Sequence, residues 1–525
     1  MLIIVFVVAP IPVQSTMWVH DNSRVLKNVS NNFVINLVIN YGVILGCIGG
    51  ICMYGSFPLF YYKFGTSAIE FQKNVAIAFL PWPVCKAIMG AVSDTTPIAN
   101  YHKRWYLVMA SIVLFCALLG VGFATNAFDA VICLIVASSA AATNNTLWEG
   151  QYANMVSFLK ADPRGIAFSW GMYMAGLAIG ACVVGPLGDK SGDDIHKAFF
   201  VAAPLALIPI PWLIFLPDST LPGDRADTML DHGLLAEDAI HVPKPKLRPK
   251  PNRKEWGLVT WIASSSILLM IILLFGAHQS AKAAVGLCAF IVAVSCFAVY
   301  YTYIESKVFV AACIMSMCHQ LFYWNLQGAY DSFYTANSQC FYDGPNFDLV
   351  FYYSVIQILS SVVGMMATTA YASTISRVDI RSAFIGAIVF RIVTGFFDVV
   401  IFKRWNTGYL HIGDKAFYIM GDAIAGEAAT ILVMLPLKTL ASKIMPRGKA
   451  TTAFAILDSF QFLGISISRI IGIVATDAMG VHASKTGGCD FTMLVPLSIM
   501  GHQVFPILSL CLAWYMLPRV IIKSE

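Results

Sequence analysis

Fourteen apolar runs recur along the 525 residues, separated by short polar loops, and no other feature constrains the fold as much. A run of about 20 apolar residues crosses the roughly 30 Å of bilayer hydrocarbon as a helix. Lipid offers no partner for backbone N–H and C=O groups, so each such run must satisfy them within itself, as a helix does. Six runs fall at 33–56, 74–94, 105–125, 127–148, 166–187 and 197–216. Eight more fall at 256–276, 281–303, 306–330, 349–371, 382–402, 414–437, 450–475 and 491–516. Composition agrees: 58% of residues are hydrophobic and 12% charged, against roughly a quarter charged in soluble proteins. The fold class is therefore all-α integral membrane, with about fourteen transmembrane helices.

Charge placement orients the chain. Lys and Arg beside apolar spans mark the cytoplasmic side. Arg24 and Lys27 precede the first span and put the N-terminus there, and an even number of crossings returns the C-terminus to the same side. Lys160/Arg164, Arg377/Arg381 and Lys438/Lys443/Arg447/Lys449 agree, whereas Lys403/Arg404 land outside and dissent. The opening MLIIVFVVAPIPV is too short to span and lacks the basic start of a signal peptide, so it reads as an interfacial segment.

The expected organisation follows. A cytoplasmic segment (1–32) leads into a six-helix bundle (33–216), then a Pro/Lys-rich linker (217–255) containing VPKPKLRPKPNRKE, whose prolines forbid a continuous helix. Two additional helices (256–303), a second six-helix bundle (304–518) and a short cytoplasmic tail (519–525) complete the chain. Two helical halves joined by a charged linker suggest a secondary transporter with a site between them. Gly176 and Gly180, four apart, read as close helix packing. Most of the 13 cysteines lie inside apolar runs without CxxC spacing; Cys340 and Cys489 lie nearer polar stretches, and their pairing is open. Net charge of +5 is spread over short loops and points to no nucleic-acid partner.

Ordered motifs carry a resemblance. Gly90-xxx-Asp94 followed by Lys103-Arg104 resembles the loop between the second and third helices of the major facilitator superfamily. The fuller string of Trp82, Lys86, Gly90, Ser93-Asp94, Pro97-Ile98, Tyr101, Arg104 and Tyr106 resembles the folate–biopterin transporter family. WEGQYANM (148–155), SFYTANSQCFYDGPNF (332–347), FDVVIFKRWN (397–406), YIMGDA (418–423), SKIMPRG (442–448) and FAILDSFQFLG (454–464) continue it in order. The resemblance implies two six-helix bundles, with the pair at 256–303 as an insert, and transport of a folate or pteridine by alternating access. Two positions depart from the family pattern: Asn145 stands where an aspartate is expected, and Lys449-Ala450 replaces an acid after Gly448.

Charged groups inside spans cost about 2.5–3.5 kcal/mol each on insertion scales, so they are functional candidates. Glu149 shares a helix face with Asn145, Trp148 and Tyr152, a set suited to a flat, hydrogen-bonding heterocycle; pinning of Glu149 by Lys86 for folding alone is the alternative. Gln320, Trp324, Gln327 and Asp331 form one stripe at i, i+4, i+7 and i+11 of a continuous helix. Asn32, Asn36 and Asn40 make a similar stripe that polar packing explains as well, and His319 reads as a buried hydrogen-bonder. Asp422 and Glu427, five apart, point to different faces, while Asp458, Gln461, Ile465 and Arg469 share one. Arg391 is followed at i+7 by Asp398. Lys86, Arg391 and Arg469 suit the carboxylates of an anionic folate. Glu149, Asp331 and Asp422 suit a coupling proton. Asp94 with Lys103 and Arg104 suits a cytoplasmic latch that governs conformational exchange.

The expected partners are thus a small molecule (folate, biopterin or a related metabolite), the bilayer and protons, for a monomer in the plasma membrane without cofactor. Within the same family, S-adenosylmethionine is an alternative substrate; the two departures also suit a non-transporting nutrient sensor. The sequence lacks HExxH, GxSxG, a Walker loop and a selectivity-filter repeat, the signatures that would point to an enzyme or channel.

Overall fold

The computed structural model describes residues 31–158, 163–188, 194–215, 251–276, 281–338, 340–444, 450–484 and 488–519. The expected interfacial start and nearly all of the Pro/Lys-rich linker lie outside them. Among the described residues, thirteen helices are long and apolar enough to cross a bilayer. The first six are α1 (Asn32–Lys63), α2 (Ala68–Thr95), α3 (Arg104–Phe123), α4 (Ala127–Phe158), α5 (Pro163–Leu187) and α6 (His196–Phe215). The inserted pair is α7 (Arg253–Phe275) and α8 (Ala281–Thr302). The fourteenth crossing is divided into α9 (Lys307–Leu321) and α10 (Gln327–Thr335). The chain ends with α11 (Phe351–Ser373), α12 (Ile380–Phe402), α13 (Asp414–Leu440), α14 (Ala450–Ala478) and α15 (Leu494–Met516).

Local chemistry explains several starts. The α2 span begins earlier than its apolar run because Ser67 and Glu70 form a capping box: Glu70 N–H donates to Ser67 Oγ (3.2 Å) and Ser67 N–H to Glu70 Oε2 (2.9 Å). Asn252 and Glu255 start α7 in the same way. The pair α7 and α8 packs against α2 of the first bundle and against α14 of the second, with α8 also touching α9. The insert therefore lies along both bundles.

The division between α9 and α10 corrects the continuous 306–330 span. Residues 322–326 leave the helix, and their freed backbone groups are taken by neighbours. Trp324 N–H donates to the Gly501 carbonyl (3.3 Å) and Asn325 N–H to Ser468 Oγ (3.0 Å). The Trp324 carbonyl meets His502 Nε2 (2.9 Å), and the Asn325 carbonyl accepts from Gln72 Nε2 (2.6 Å). Irregular backbone survives at membrane depth only where protein satisfies it in this way.

One face carries a disulfide between Cys340, in the loop after α10, and Cys489 of a short hairpin, β1 (His482–Ser484) with β2 (Gly488–Asp490). Disulfides persist in oxidising compartments, and Arg377 and Arg381, with the C-terminal end of α13 and the start of α14, lie at the opposite ends of the same helices. The dissenting Arg404 has a structural use on the disulfide face: its guanidinium holds Asp414 at 2.8 and 2.9 Å, and Asn406 Nδ2 donates to the same carboxylate (2.6 Å). A neutralised Arg carries little topological weight.

Helices α1 and α5 are the closest pair in the first bundle. A Cβ built on Gly176 would lie 2.0 Å from the Gly42 carbonyl oxygen and 2.7 Å from Gly46 Cα. Backbone on both sides leaves nothing that can rotate away. Gly176→Val is therefore expected to cost about 3 kcal/mol, read as loss of the monodisperse peak and a lowered unfolding temperature in detergent. An unchanged profile would refute this contact.

Candidate functional site

A cavity of about 640 Å³ lies between the bundles, lined by α1 to α5 on one side and by α9 to α15 on the other. That volume lies within the range of small-molecule sites. Basic loops assign the Ala450 end of α14 to the cytoplasm. At 1.5 Å per residue, Asp458 is about 12 Å from that end and Arg469 about 28 Å. The cavity therefore extends over about 16 Å between them, about half of the hydrocarbon thickness.

Its cytoplasmic end is closed by four charges. Lys86 Nζ sits 2.7 Å from Glu149 Oε2 and 2.7 Å from Asp458 Oδ2. Lys438 hydrogen-bonds Asp458 and lies 3.6 Å from Glu149 Oε1. Lys86 and Glu149 come from the first bundle, Lys438 and Asp458 from the second, so the ion pairs cross between them. Asn145, with its amide oxygen turned to Lys86, accepts from Nζ (3.0 Å) and donates to Glu149 Oε1 (3.3 Å). Two lysines then balance two carboxylates. An aspartate at 145 would place a third acid in this cluster. Trp82 and Phe462, stacked at 4.7 Å, cover Lys86 at 5.8 and 5.3 Å from their ring centres.

The expected site residues divide accordingly. Asn145, Glu149, Trp324, Gln327, Asp331, Arg391, Asp422 and Arg469 line the cavity. Lys86 does not; it is fully buried beneath the Trp82–Phe462 pair and already holds two carboxylates. Trp148 is buried against Phe33 (5.9 Å) away from the cavity, because consecutive helical positions lie about 100° apart. The Tyr152 side chain lies outside the described residues. Asn36 and Asn40 are buried in packing and do not line the cavity; Asn36 Nδ2 donates to the Asn32 carbonyl (3.1 Å). His319 bonds the Met315 carbonyl (2.9 Å).

Three charged lining residues are not placed at the site by sequence reasoning. Lys438, read as part of a cytoplasmic basic loop, is buried within α13. Glu427 lines the cavity together with Asp422 because Ile419–Gly426 is π-helical. Bonding from i to i+5 brings positions five apart to the same side, which overturns the different-faces expectation. Asp398 enters because α12 breaks at Gly395, so its offset from Arg391 is not that of one helix. Arg391 lies 3.6 Å over the Tyr323 ring, which itself stacks on His502 at 4.1 Å. Arg469 lies 5.1 Å from the Phe79 ring centre. Among the described residues neither guanidinium makes an ion pair; Glu427 is the acid that acts on Arg391, and Arg469 has no such carboxylate.

The expected latch is rearranged. Asp94 accepts from Thr452 N–H (3.2 Å) and Thr452 Oγ1 (2.9 Å) at the start of α14, where the helix dipole favours an acid. Lys103 Nζ donates to Thr451 Oγ1 (2.9 Å), also across the bundles. Arg104 instead donates to the Ile214 carbonyl (2.8 Å) within the first bundle. Asp94 and Lys103 thus both grip the first turn of α14.

A model of the BT1 family matches residues 2–525. "Probable folate-biopterin transporter 2" of Arabidopsis thaliana is 21% identical over 507 residues, 93% of this chain and 84% of the relative. "Probable folate-biopterin transporter 4" of the same plant is 22% identical over 486 residues, 87% and 89% of the two chains. Among solved structures, a D-xylose–proton symporter superposes with TM-score 0.59 at 15% identity, over 94% of this chain and 100% of that one. A POT family transporter in complex with 5-aminolevulinic acid gives 0.59 at 9% identity, over 93% and 95%. These likenesses show the major facilitator fold.

Lys86→Ala leaves two buried carboxylates sharing one lysine and is expected to cost about 3–5 kcal/mol. Melting in detergent reads this, and adding Glu149→Gln should restore part of the loss; no loss would dismiss the cluster as a brace. Asp94→Asn should slow maximal transport severalfold and leave ligand affinity within about twofold. A pure loss of affinity would count against the latch.

Proposed function

The chain belongs to the BT1 family, and from that premise we propose that this membrane transporter is a secondary-active carrier of folate and pteridine-type substrates, working by alternating access. The observation that carries the substrate class is the pair of cavity-lining guanidiniums: Arg469 without a carboxylate partner among the described residues, and Arg391 without an ion pair there, acted on by Glu427 alone. A buried cation needs a counter-charge, and the two carboxylates of a folate's glutamate tail supply it in the geometry that guanidinium groups favour. Tyr323, Trp324 and Phe462 add flat apolar surface for a heterocycle. Lys86, held by Glu149 and Asp458, is not needed for the tail.

Alternating access has an evident hinge in this reading. The four-charge cluster and the Asp94 and Lys103 contacts all join the bundles toward the cytoplasmic face, so inward opening must separate them. Protonation of Glu149 would release one side of that cluster, which is how a proton gradient would drive transport. A second reading, a cationic metabolite such as S-adenosylmethionine, is favoured by the acid surplus along the cavity. Glu149, Asp331, Asp398, Asp422, Glu427 and Asp458 face Lys438, Arg391 and Arg469.

Uptake of labelled folate, biopterin and S-adenosylmethionine by transport-null cells decides between them. Saturable folate uptake that responds to an imposed pH gradient is expected, and uptake of S-adenosylmethionine alone would reverse the assignment. Binding without uptake would indicate a sensor. Arg469→Gln should raise the KM for folate about tenfold to a hundredfold, the worth of a charge-assisted bond of about 1.5–3 kcal/mol. Biopterin, which lacks the tail, should change less than about threefold.

A further inference from the structure

The end of the cavity away from the four-charge cluster is walled by tyrosines from three helical segments: Tyr334 of α10, Tyr352 and Tyr353 of α11, and Tyr418 of α13. Asp331 of α10 faces the same space and is only 4% exposed. Its Oδ1 accepts from the Tyr352 hydroxyl (2.7 Å); Tyr353 and Gln327 stand beside the carboxylate, and Oδ2 makes no hydrogen bond of normal length. Tyr353 is 2% exposed and lines the cavity, and its hydroxyl faces Asp331 without a hydrogen bond of normal length to it. By contrast Asp398 is engaged, accepting from the Tyr334 hydroxyl at 2.6 Å. Buried polar atoms that make no full hydrogen bond are costly, and each such atom calls for an explanation. Here two of them, from adjacent helices, face each other across one chamber.

The chemistry of the pair narrows the ligand. A carboxylate oxygen accepts, a tyrosine hydroxyl donates or accepts, and the aromatic walls favour a planar ring. We propose that Asp331 and Tyr353 form the head-group subsite of the carrier. They read a planar heterocycle bearing an exocyclic amine beside a ring nitrogen, as on the amino-pyrimidinone edge of a pterin. The amine donates to Asp331 Oδ2, and the neighbouring ring nitrogen accepts from the Tyr353 hydroxyl. Tyr352 holds the other carboxylate oxygen and so fixes the plane of Asp331. The tail then falls to Arg391 and Arg469, which splits recognition into a ring-reading part and an anion-reading part. This inference rests on the pteridine reading above and adds which end of the substrate each group selects.

Competition for labelled biopterin uptake by the full chain in transport-null cells tests it, with lumazine as the second probe. Lumazine carries an oxo group where biopterin has the amine and an N–H where biopterin has the accepting ring nitrogen, so it cannot present the amine-beside-acceptor edge that Asp331 and Tyr353 read. The wild-type chain should prefer unlabelled biopterin over lumazine by at least about tenfold, as expected of a site built to bond a donor. Asp331→Asn, which keeps the side-chain shape, should reduce that ratio to within about threefold, since an amide can also donate to the oxo group. Tyr353→Phe, which removes only one hydroxyl, should lower the ratio as well and serves if Asp331→Asn fails to reach the membrane. The folate-to-biopterin ratio, set by the arginines, should stay unchanged in both variants. A biopterin-to-lumazine ratio that survives both substitutions, or a wild-type chain that does not discriminate, overturns the subsite and leaves the carrier reading intact. A wild-type chain that takes up neither folate nor biopterin overturns both.

Discussion

Four buried charges, paired across the interface, govern how the two bundles of this protein meet. In a low-dielectric interior, a lone lysine or carboxylate is expensive, and an ion pair survives only with good geometry and further hydrogen bonds. Lys86 and Lys438 share Glu149 and Asp458, so each bundle contributes one acid and one base. Neither bundle is thereby forced to hold an unpaired charge when they part, because Lys86 can keep Glu149 and Lys438 can keep Asp458. Separation costs the cross-pairs alone. That arrangement suits a molecule whose halves must come apart and return. Asn145 preserves the balance by adding an amide where a carboxylate would tip the cluster to net negative.

The rest of the cavity depends on where helices stop being regular. Unwinding at 322–326 turns Trp324 and Asn325 backbone groups toward α2, α14 and α15, and lets α9 and α10 both face the cavity. The π-helical stretch at Ile419–Gly426 places Asp422 and Glu427 side by side, and the break at Gly395 brings in Asp398. Each irregularity is costly in lipid and tolerated beside a cavity or inside protein. The irregular segments and the polar lining therefore coincide for one physical reason.

Much of this was legible in the residues. Apolar run length required the spans, and the resemblance running through Gly90, Asp94, Glu149 and Asp458 placed them in two bundles. The stripe of Asp458, Gln461, Ile465 and Arg469 follows α14's regular period and reaches the cavity as written. The stripe of Gln320, Trp324, Gln327 and Asp331 also reaches it, although the helix it was drawn on does not exist as one piece. Lys438 was hidden by three basic neighbours in sequence, and nothing local distinguishes a cation that turns into the protein from one that turns to water.

The sequence by itself determined that the chain is a bundle of membrane-spanning helices, which face carries its basic loops, and which charges must be buried. Those outcomes follow from bilayer thickness and from the cost of solvating charge, and both act on local composition. Only the tertiary structure decided which buried charges neutralise each other and which remain for a ligand. Lys86, Arg391 and Arg469 are equivalent as letters, each a cation in an apolar run. Packing gives the first two carboxylates and leaves the other two facing the cavity, because pairing depends on helices that are hundreds of residues apart in the chain.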